Sequence, residues 1–303
     1  MIVPALIIAF ILAAAAASSY IAGEEAYGGA SVLEESSDDE GASTLEVHHL
    51  DVGQGDCTLI LNGSHAMLID AGDDSCGTLV QSYLESRGVE ELEYVIGTHP
   101  DADHIGGLDV ILYKFDCGTI IMPDFEKDTR AYDDLSDMIA QQEYSVTRPV
   151  LGEEYDFGDA SFTIIAPVGG EDEYGDEANN YSVGIKLTFG GTSFLFTGDA
   201  EEEAENDMLS TGMDLSADVY KVAHHGSRTA NSEEFLAAVD PAYAVISCGE
   251  DNDYGHPHAA VLNSLRAMGV AVFRTDEQGT VVAVSDGEEI TFNMSPSESW
   301  QAG

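Results

Sequence analysis

The stretch THPDADHIGG (98–107) decides how this chain is read. It follows the apolar run that begins at Tyr94, which reads as a strand over 93–98. Within six residues it then supplies His99, Asp101, Asp103 and His104. Two imidazoles and two carboxylates on a turn leaving a buried strand can converge on a small volume, and that mixture of donors suits zinc, manganese or iron. An ordinary solvated loop rarely places His-x-Asp-x-Asp-His directly behind a buried strand. Gly106 and Gly107 are expected to let the chain turn sharply and bring its backbone close.

Working outward, three more clusters stand at the ends of apolar strands. FTGD (196–199) closes a strand expected over 192–198 and delivers Asp199, a carboxylate placed to bridge two metal ions. A strand-end aspartate can equally cap a helix, and one is expected over 200–210. VAHHGS (222–227) ends a strand over 217–223 with His224 and His225, followed by Arg228. Neighbouring side chains on a strand point to opposite faces, so only one of the two faces a common site unless the strand has already ended. YGHPH (254–258) sets His256 and His258 ahead of a helix over 258–268, with Pro257 fixing the backbone. Earlier, DVGQGDC (51–57) is a glycine-rich loop holding Asp51, Gln54 and Asp56, and MLIDAG (67–72) is a strand ending in Asp70. Both also read as plain loops. His48, His49 and His65 are expected not to be ligands.

Further strands are expected at 45–52, 57–62, 65–70, 160–166, 183–190, 242–247, 270–274, 279–285 and 288–293, and helices at 76–87, 130–142 and 232–239. Strand meanders early and alternating strands and helices late predict sheets covered by helices. The folded domain is expected over 45–295, with a frayed tail beyond it. Residues 1–17 carry no charged side chain, so 1–23 reads as a signal peptide or membrane anchor, and 24–44 as an acidic disordered linker. The expected location is extracellular, or membrane-anchored facing outside.

Composition narrows the partners. There are 57 acidic residues against 10 basic ones, a net charge of -47. No Lys/Arg run offers the usual electrostatic footprint of a nucleic-acid binder. Such self-repulsion is relieved at high ionic strength, where the Debye length falls to about 3 Å at 1 M salt, and the expectation is adaptation to saline surroundings. Cys57, Cys76, Cys117 and Cys248 form no C-x-x-C pair and are expected mostly free and buried. Nothing in the sequence specifies a protein partner.

Taken in order, LDVGQGD, LIDAG, THPDADHIGG, FTGDAE, HHGS and YGHPH resemble the metallo-β-lactamase superfamily. More closely, they resemble the extracytoplasmic hydrolase domain of ComEC-type DNA-uptake competence proteins, over most of residues 45–290. The resemblance implies an α/β fold, a four-layer αββα sandwich with a metal site on one edge. It implies His99, Asp101, Asp103 and His104 as the first metal motif, Asp199 as the bridging aspartate, and Asp70 as a structural support for the motif loop. The last ligand would be His225 or His256, with topology favouring His256. Two departures stand out. Asp101 fills the slot of a second histidine, and no histidine lies between His104 and His224, where Asn179, Asn180, Tyr181 and Ser182 could offer oxygen ligands. Both harden the site toward manganese or magnesium relative to zinc, with one or two divalent ions.

The resemblance and the donor set together imply hydrolysis of a phosphodiester in DNA or a nucleotide. Metal would lower the pKa of water to roughly 7. Asp103 and Asp199 would hold metal, His224, His225 or His258 would donate a proton to the leaving oxygen, and Lys221 or Arg228 would contact phosphate. A lactone, thioester or β-lactam as small-molecule substrate is the competing expectation. A non-catalytic binding module stapled by metal is a third. The acidic surface weighs against DNA.

Overall fold

The structure, a computed structural model, describes residues 43–303. The expected signal peptide or anchor (1–23) and all but the last two residues of the expected linker (24–44) lie outside the described residues. Among the described residues no helix is long and apolar enough to cross a membrane.

The chain first lays down β1 (Leu45–His49), β2 (Thr58–Asn62) and β3 (His65–Ile69) as an antiparallel meander. Then come α1 (Gly77–Ser86), β4 (Glu91–Ile96), the single-turn α2 (Ala102–Ile105), α3 (Leu108–Lys114), β5 (Asp116–Ile121), α4 (Arg130–Gln141) and β6 (Val146–Thr147). β4, β5 and β6 add in parallel beside β3. The second sheet starts with β7 (Glu154–Phe157), β8 (Ala160–Ala166), the short α5 (Glu171–Tyr174), β9 (Gly184–Phe189) and β10 (Thr192–Phe196), again antiparallel. α6 (Glu202–Ser210), β11 (Val219–Lys221), α7 (Glu233–Val239), β12 (Tyr243–Ile246), α8 (Ala259–Met268) and β13 (Ala271–Arg274) continue it in parallel. After α9 (Thr275–Gln278), β14 (Val281–Ser285) and β15 (Ile290–Phe292) return to the first sheet, with β14 paired to β1.

Period-two alternation assigns the faces. In β10, Phe194 and Phe196 point inward to meet Val47, Ile60, Met67, Ile96 and Ile121 of the first sheet, while Leu195 points outward to the helices. On that outer face Met208, Phe235, Leu236, Leu262 and Leu265 cover Tyr220, Ala244 and Val272. On the other side Val80, Leu84, Ile111, Leu112 and Leu135 cover Leu59, Leu68, Val95 and Ile120. The result is helix, sheet, sheet, helix, the four-layer αββα sandwich. Each fully buried Leu, Ile or Phe contributes about 1.5–3 kcal/mol. Local signals punctuate the helices. Thr129 Oγ1 accepts the Tyr132 N–H to start α4, Ser232 Oγ accepts the Phe235 N–H to start α7, and Gly269 at φ 80° ends α8.

The strands leading to the motifs end earlier than the apolar runs predict: β1 at His49, β4 at Ile96, β10 at Phe196 and β11 at Lys221. Left-handed backbone at Asp70, Gly198, His224 and His225 turns the chain out of the ladder, so the motif side chains sit on loops. The segment after Met294 is held in place. The Ser297 N–H donates to Val272 O at 2.7 Å, Arg274 Nη1 donates to Gln301 O at 2.6 Å, and Trp300 lies under Arg266. All four cysteines are free.

Candidate metal centre

The motifs meet at the carboxyl ends of the parallel strands, where loops from both sheets converge, the usual place for a ligand site in such sheets. Backbone hydrogen bonds knit these loops together. Asp56 N–H donates to Asp103 O, Ala71 N–H to His104 O, and His224 N–H to Gly198 O. Gly55 permits the first of these contacts, since a Cβ there would lie 2.4 Å from Asp103 O. Gly106 is helical (φ -59°), so it makes no sharp turn. It allows close approach instead, since a Cβ would lie 2.3 Å from Asp74 N.

Asp70 anchors the first motif. Its carboxylate accepts the Thr98 N–H at 2.8 Å, the Thr98 hydroxyl at 2.7 Å and His104 Nδ1 at 2.8 Å. With Nδ1 engaged, His104 Nε2 faces Asp199 Oδ2 at 3.3 Å. The His99 ring lies 4.2 Å from the His104 ring, and its Nδ1 is 3.2 Å from the Thr98 hydroxyl. His225 Nδ1 donates to Ser247 O at 3.0 Å. A carbonyl can only accept, so this bond fixes the proton on Nδ1 and points Nε2 at Asp103 Oδ2 (3.3 Å) and Asp199 Oδ2 (3.4 Å). Asp56 completes the cluster. Asp56, His104, Asp199 and His225, all buried, each offer an atom within 4.8 Å of the others.

Both histidines of HHGS reach the site because β11 has ended. His224 (φ 48°, ψ 47°) and His225 (φ 52°, ψ 23°) are both left-handed, a conformation that costs a residue with a Cβ about 1–2 kcal/mol. His224 Nδ1 faces Glu201 Oε1 at 3.2 Å and its Nε2 lies 3.7 Å from Asp199 Oδ2. Such strain is retained where a site needs it.

The charges fit a cation. Burial alone would depress His104 and His225, yet Asp199, with Asp70 beside the first and Asp56 beside the second, raises both imidazoles well above their ordinary range. Burial works against the Asp199 carboxylate, and His104 and His225 nevertheless hold it well below its ordinary value. Asp103 is likewise drawn to about 2, against the effect of burial, by the His225 and His104 rings that it faces. With the rings neutral, Nε2 of His99, His104 and His225 and Oδ1 of Asp199 are buried without a hydrogen-bond partner. Each such atom costs about 1–3 kcal/mol, which a divalent cation would offset. Three imidazoles with the Asp56, Asp103 and Asp199 carboxylates form a donor set that fits such an ion.

Several sequence expectations change. Asp101 turns away from the cluster and pairs with Lys127, so its charge is neutralised at the rim. His225 is the late histidine within the tight cluster, and His256 stands beside it, its ring 5.9 Å from that of His225 and its Nδ1 likewise buried without a hydrogen-bond partner. His258 is further still, with its Nδ1 accepting the Arg228 N–H at 3.1 Å. Lys221 is not free for a phosphate. It is buried, and its Nζ donates to Asp56 Oδ2 at 2.7 Å and to Val222 O at 3.1 Å. The segment 179–182 braces the Asp199 loop. Asn180 Oδ1 accepts the Glu201 N–H, and Ser182 Oγ accepts the Asp199 N–H while lying 3.4 Å from His99 Nδ1. Asp56, left as a loop residue by the sequence, is the member that reasoning missed. Its signal was an aspartate inside a tight glycine-rich loop.

An αββα sandwich with a buried His/Asp cluster on one edge defines a metal-dependent hydrolase. The chain belongs to the metallo-β-lactamase superfamily, whose family description matches residues 50–250. It is 30% identical over 276 residues to ComE operon protein 3 of Bacillus subtilis (strain 168), covering 83% of this chain and 34% of that protein. It is 32% identical over 243 residues to Recombination protein 2 of Haemophilus influenzae, covering 78% and 28%. It is 30% identical over 235 residues to Competence protein ComA of Neisseria gonorrhoeae, covering 76% and 31%. The chain thus spans about a third of the length of these relatives. Among solved structures, the metallo-β-lactamase fold protein YhfI of Bacillus subtilis aligns with a TM-score of 0.54 at 10% identity, over 78% of this chain and 99% of that one. The metallo hydrolase Igni18 of Ignicoccus hospitalis aligns at 0.53 and 14%, over 79% and 98%. Both likenesses concern the fold.

Proposed function

We propose that this domain is a phosphodiesterase that cleaves DNA or nucleotides on the outer side of the membrane, in a competence-related role. The observation that carries the reading is the donor set. Three carboxylates, Asp56, Asp103 and Asp199, stand beside three imidazoles, and so oxygen-rich a site suits the harder divalent ions that also hold phosphate oxygens. The names of the competence and recombination relatives point the same way.

His99, His104, His225, Asp103, Asp199 and Asp56 would hold the ion or ions. Bound metal supplies Lewis acidity toward a phosphoryl oxygen and toward water. The chain's own residues do the rest. Asp70 and Ser247 O fix the tautomers of His104 and His225, keeping both Nε2 atoms turned to the site. His224, half-buried with Glu201 at its Nδ1, carries its Nε2 at the site's edge, where it can hand a proton to the leaving oxygen.

The test incubates purified protein with single-stranded and plasmid DNA at several salt concentrations, adding manganese, magnesium or zinc in turn. Cleavage that is lost in His99→Ala and in chelator supports the proposal. Turnover of lactone or thioester esters with no phosphodiester cleavage would replace it with the small-molecule reading. Metal binding with no turnover would leave a metal-stapled binding module.

A further inference from the structure

We propose that the rim formed by Tyr254, His256, His258 and Arg228 is a nucleotide subsite for single-stranded substrate. Tyr254 stacks on the base next to the scissile bond, and Arg228 takes the adjoining phosphate. The inference rests on the phosphodiesterase reading and names its substrate class.

Tyr254 is 67% exposed, more than any other large hydrophobic residue described. It is nevertheless held in place. Its inner face stacks on His256 at 5.5 Å with the planes 20° apart. His256 in turn lies 5.5 Å from His224 and 5.9 Å from His225, so the stack leads directly into the metal centre. One side chain fixes the loop beneath it. Asn252 Oδ1 accepts the N–H of Tyr254 and of His256, and its Nδ2 donates to Gly249 O and His256 O. A ring pre-set in this way loses little freedom when a second ring covers its open face.

The cations point to the same place. Seven of the chain's 10 basic residues form ion pairs with carboxylates. Lys114 and Arg266 lie over Tyr113 and Trp300. Arg228 is exposed and makes no ion pair with another described residue, in a chain with 57 acidic side chains to choose from. Its backbone N–H donates to His258 Nδ1, and the His258 ring is 5.0 Å from His256. Tyr254, His256, His258 and Arg228 therefore run as a row along one lip of the site.

Charge selects the strand type. Glu250, Asp251 and Asp253 share the loop with Tyr254, so this lip cannot track a duplex backbone by charge. It offers one guanidinium and one π-face, and the π-face is available only to a base that is not already stacked within a duplex.

The test introduces Tyr254→Trp as a fluorescent reporter, with the parent's lone Trp300 as background, and titrates it without metal. Saturable quenching by an eight-residue oligodeoxythymidylate, absent with inorganic phosphate and much weaker with duplex, is the expected result. No quenching, or equal quenching by duplex, overturns the subsite. In the metal-loaded enzyme, Tyr254→Ala is expected to raise KM for the oligonucleotide roughly 5- to 100-fold. Its effect on methyl p-nitrophenyl phosphate should be far smaller, and equal losses on both substrates overturn the assignment. Binding is read without turnover. If the parent cleaves no phosphodiester at all, the functional proposal fails while the quenching experiment still decides the subsite.

Discussion

Lys221 Nζ and Asp56 Oδ2 meet at 2.7 Å across the seam between the two sheets, Lys221 from the end of β11 and Asp56 from the loop after β1, both nearly sealed from water. The other Asp56 oxygen lies 3.2 Å from His225 Nδ1, so the pair pins both halves of the sandwich at the metal centre. Lys221→Met strands a buried carboxylate and should cost about 3–5 kcal/mol in urea unfolding of the chelated protein. Adding Asp56→Asn should recover most of that loss. A single variant within 1 kcal/mol of the parent, on the same scale, would remove the pin from the account.

Asp70 acts through His104. Asp70→Ala frees that ring to rotate and strips two bonds from Thr98, next to His99. Affinity for manganese, followed by competition with a chromophoric chelator, should drop about 10- to 100-fold while the far-ultraviolet circular dichroism is retained. Unchanged affinity would mean that the ring needs no support.

Acid should weaken the metal-free fold through His49. Burial, then the nearby Lys221 charge, lowers this imidazole to about 3, against 6.5 in an unfolded chain. Between those values the unfolded chain binds a proton that the native one refuses, so stability falls as pH drops through the window and is unaffected above it. The slope from this group is at most about 1.4 kcal/mol per pH unit. His49→Leu should flatten the acid limb of a urea-midpoint series relative to the parent. Parallel limbs would show that His49 is protonated in the native state.

Metal should stabilise the fold as well as activate it. Manganese at a thousand times its dissociation constant adds about 4 kcal/mol, read as a rise in melting temperature that EDTA reverses. Asp199→Ala, which removes a carboxylate within 3.4 Å of both His104 and His225, should abolish most of that rise. A variant that keeps the full rise would place the ion elsewhere.

Salt should help. With 57 acidic and 10 basic side chains, screening relieves more repulsion than attraction. The urea midpoint is expected to climb between low and molar sodium chloride, and a fall would contradict adaptation to saline conditions.

The sandwich was legible because its strands are apolar runs of ordinary length and its helices α1, α4, α6, α7 and α8 carry clear periodicity. α3 escaped although Leu108, Ile111 and Leu112 are buried, and so did β7, while the other misses were short or half-buried. α2 is a single turn inside the motif loop, β6 is two residues long, and β5 begins with exposed, glycine-interrupted sequence. The tail looked loose because Ser, Pro and Glu dominate it, yet Trp300, the Ser297 N–H bond to Val272 O and the Arg274 bond to Gln301 O hold it down. At the site, residue type and order pointed to His99, Asp103, His104, Asp199 and His225, which the chain brings together just beyond the ends of β4, β10 and β11. The fate of Asp101, Lys221 and Asp56 was not legible, because it depends on which charge each one meets. Lys127 takes Asp101, and Lys221 goes to Asp56 in the other sheet. No local pattern records partners 26 and 165 residues apart.

β14 pairs with β1 along Leu45–His49, although more than two hundred residues separate them. On a translating ribosome, therefore, β1 waits with one bare backbone edge until nearly the whole domain has been synthesised. Every residue of the candidate metal centre lies between these two strands, so a product truncated before β14 would hold the whole cluster yet leave its first sheet unclosed. Closure across that separation slows folding, and quality control would have to shield that edge in the meantime.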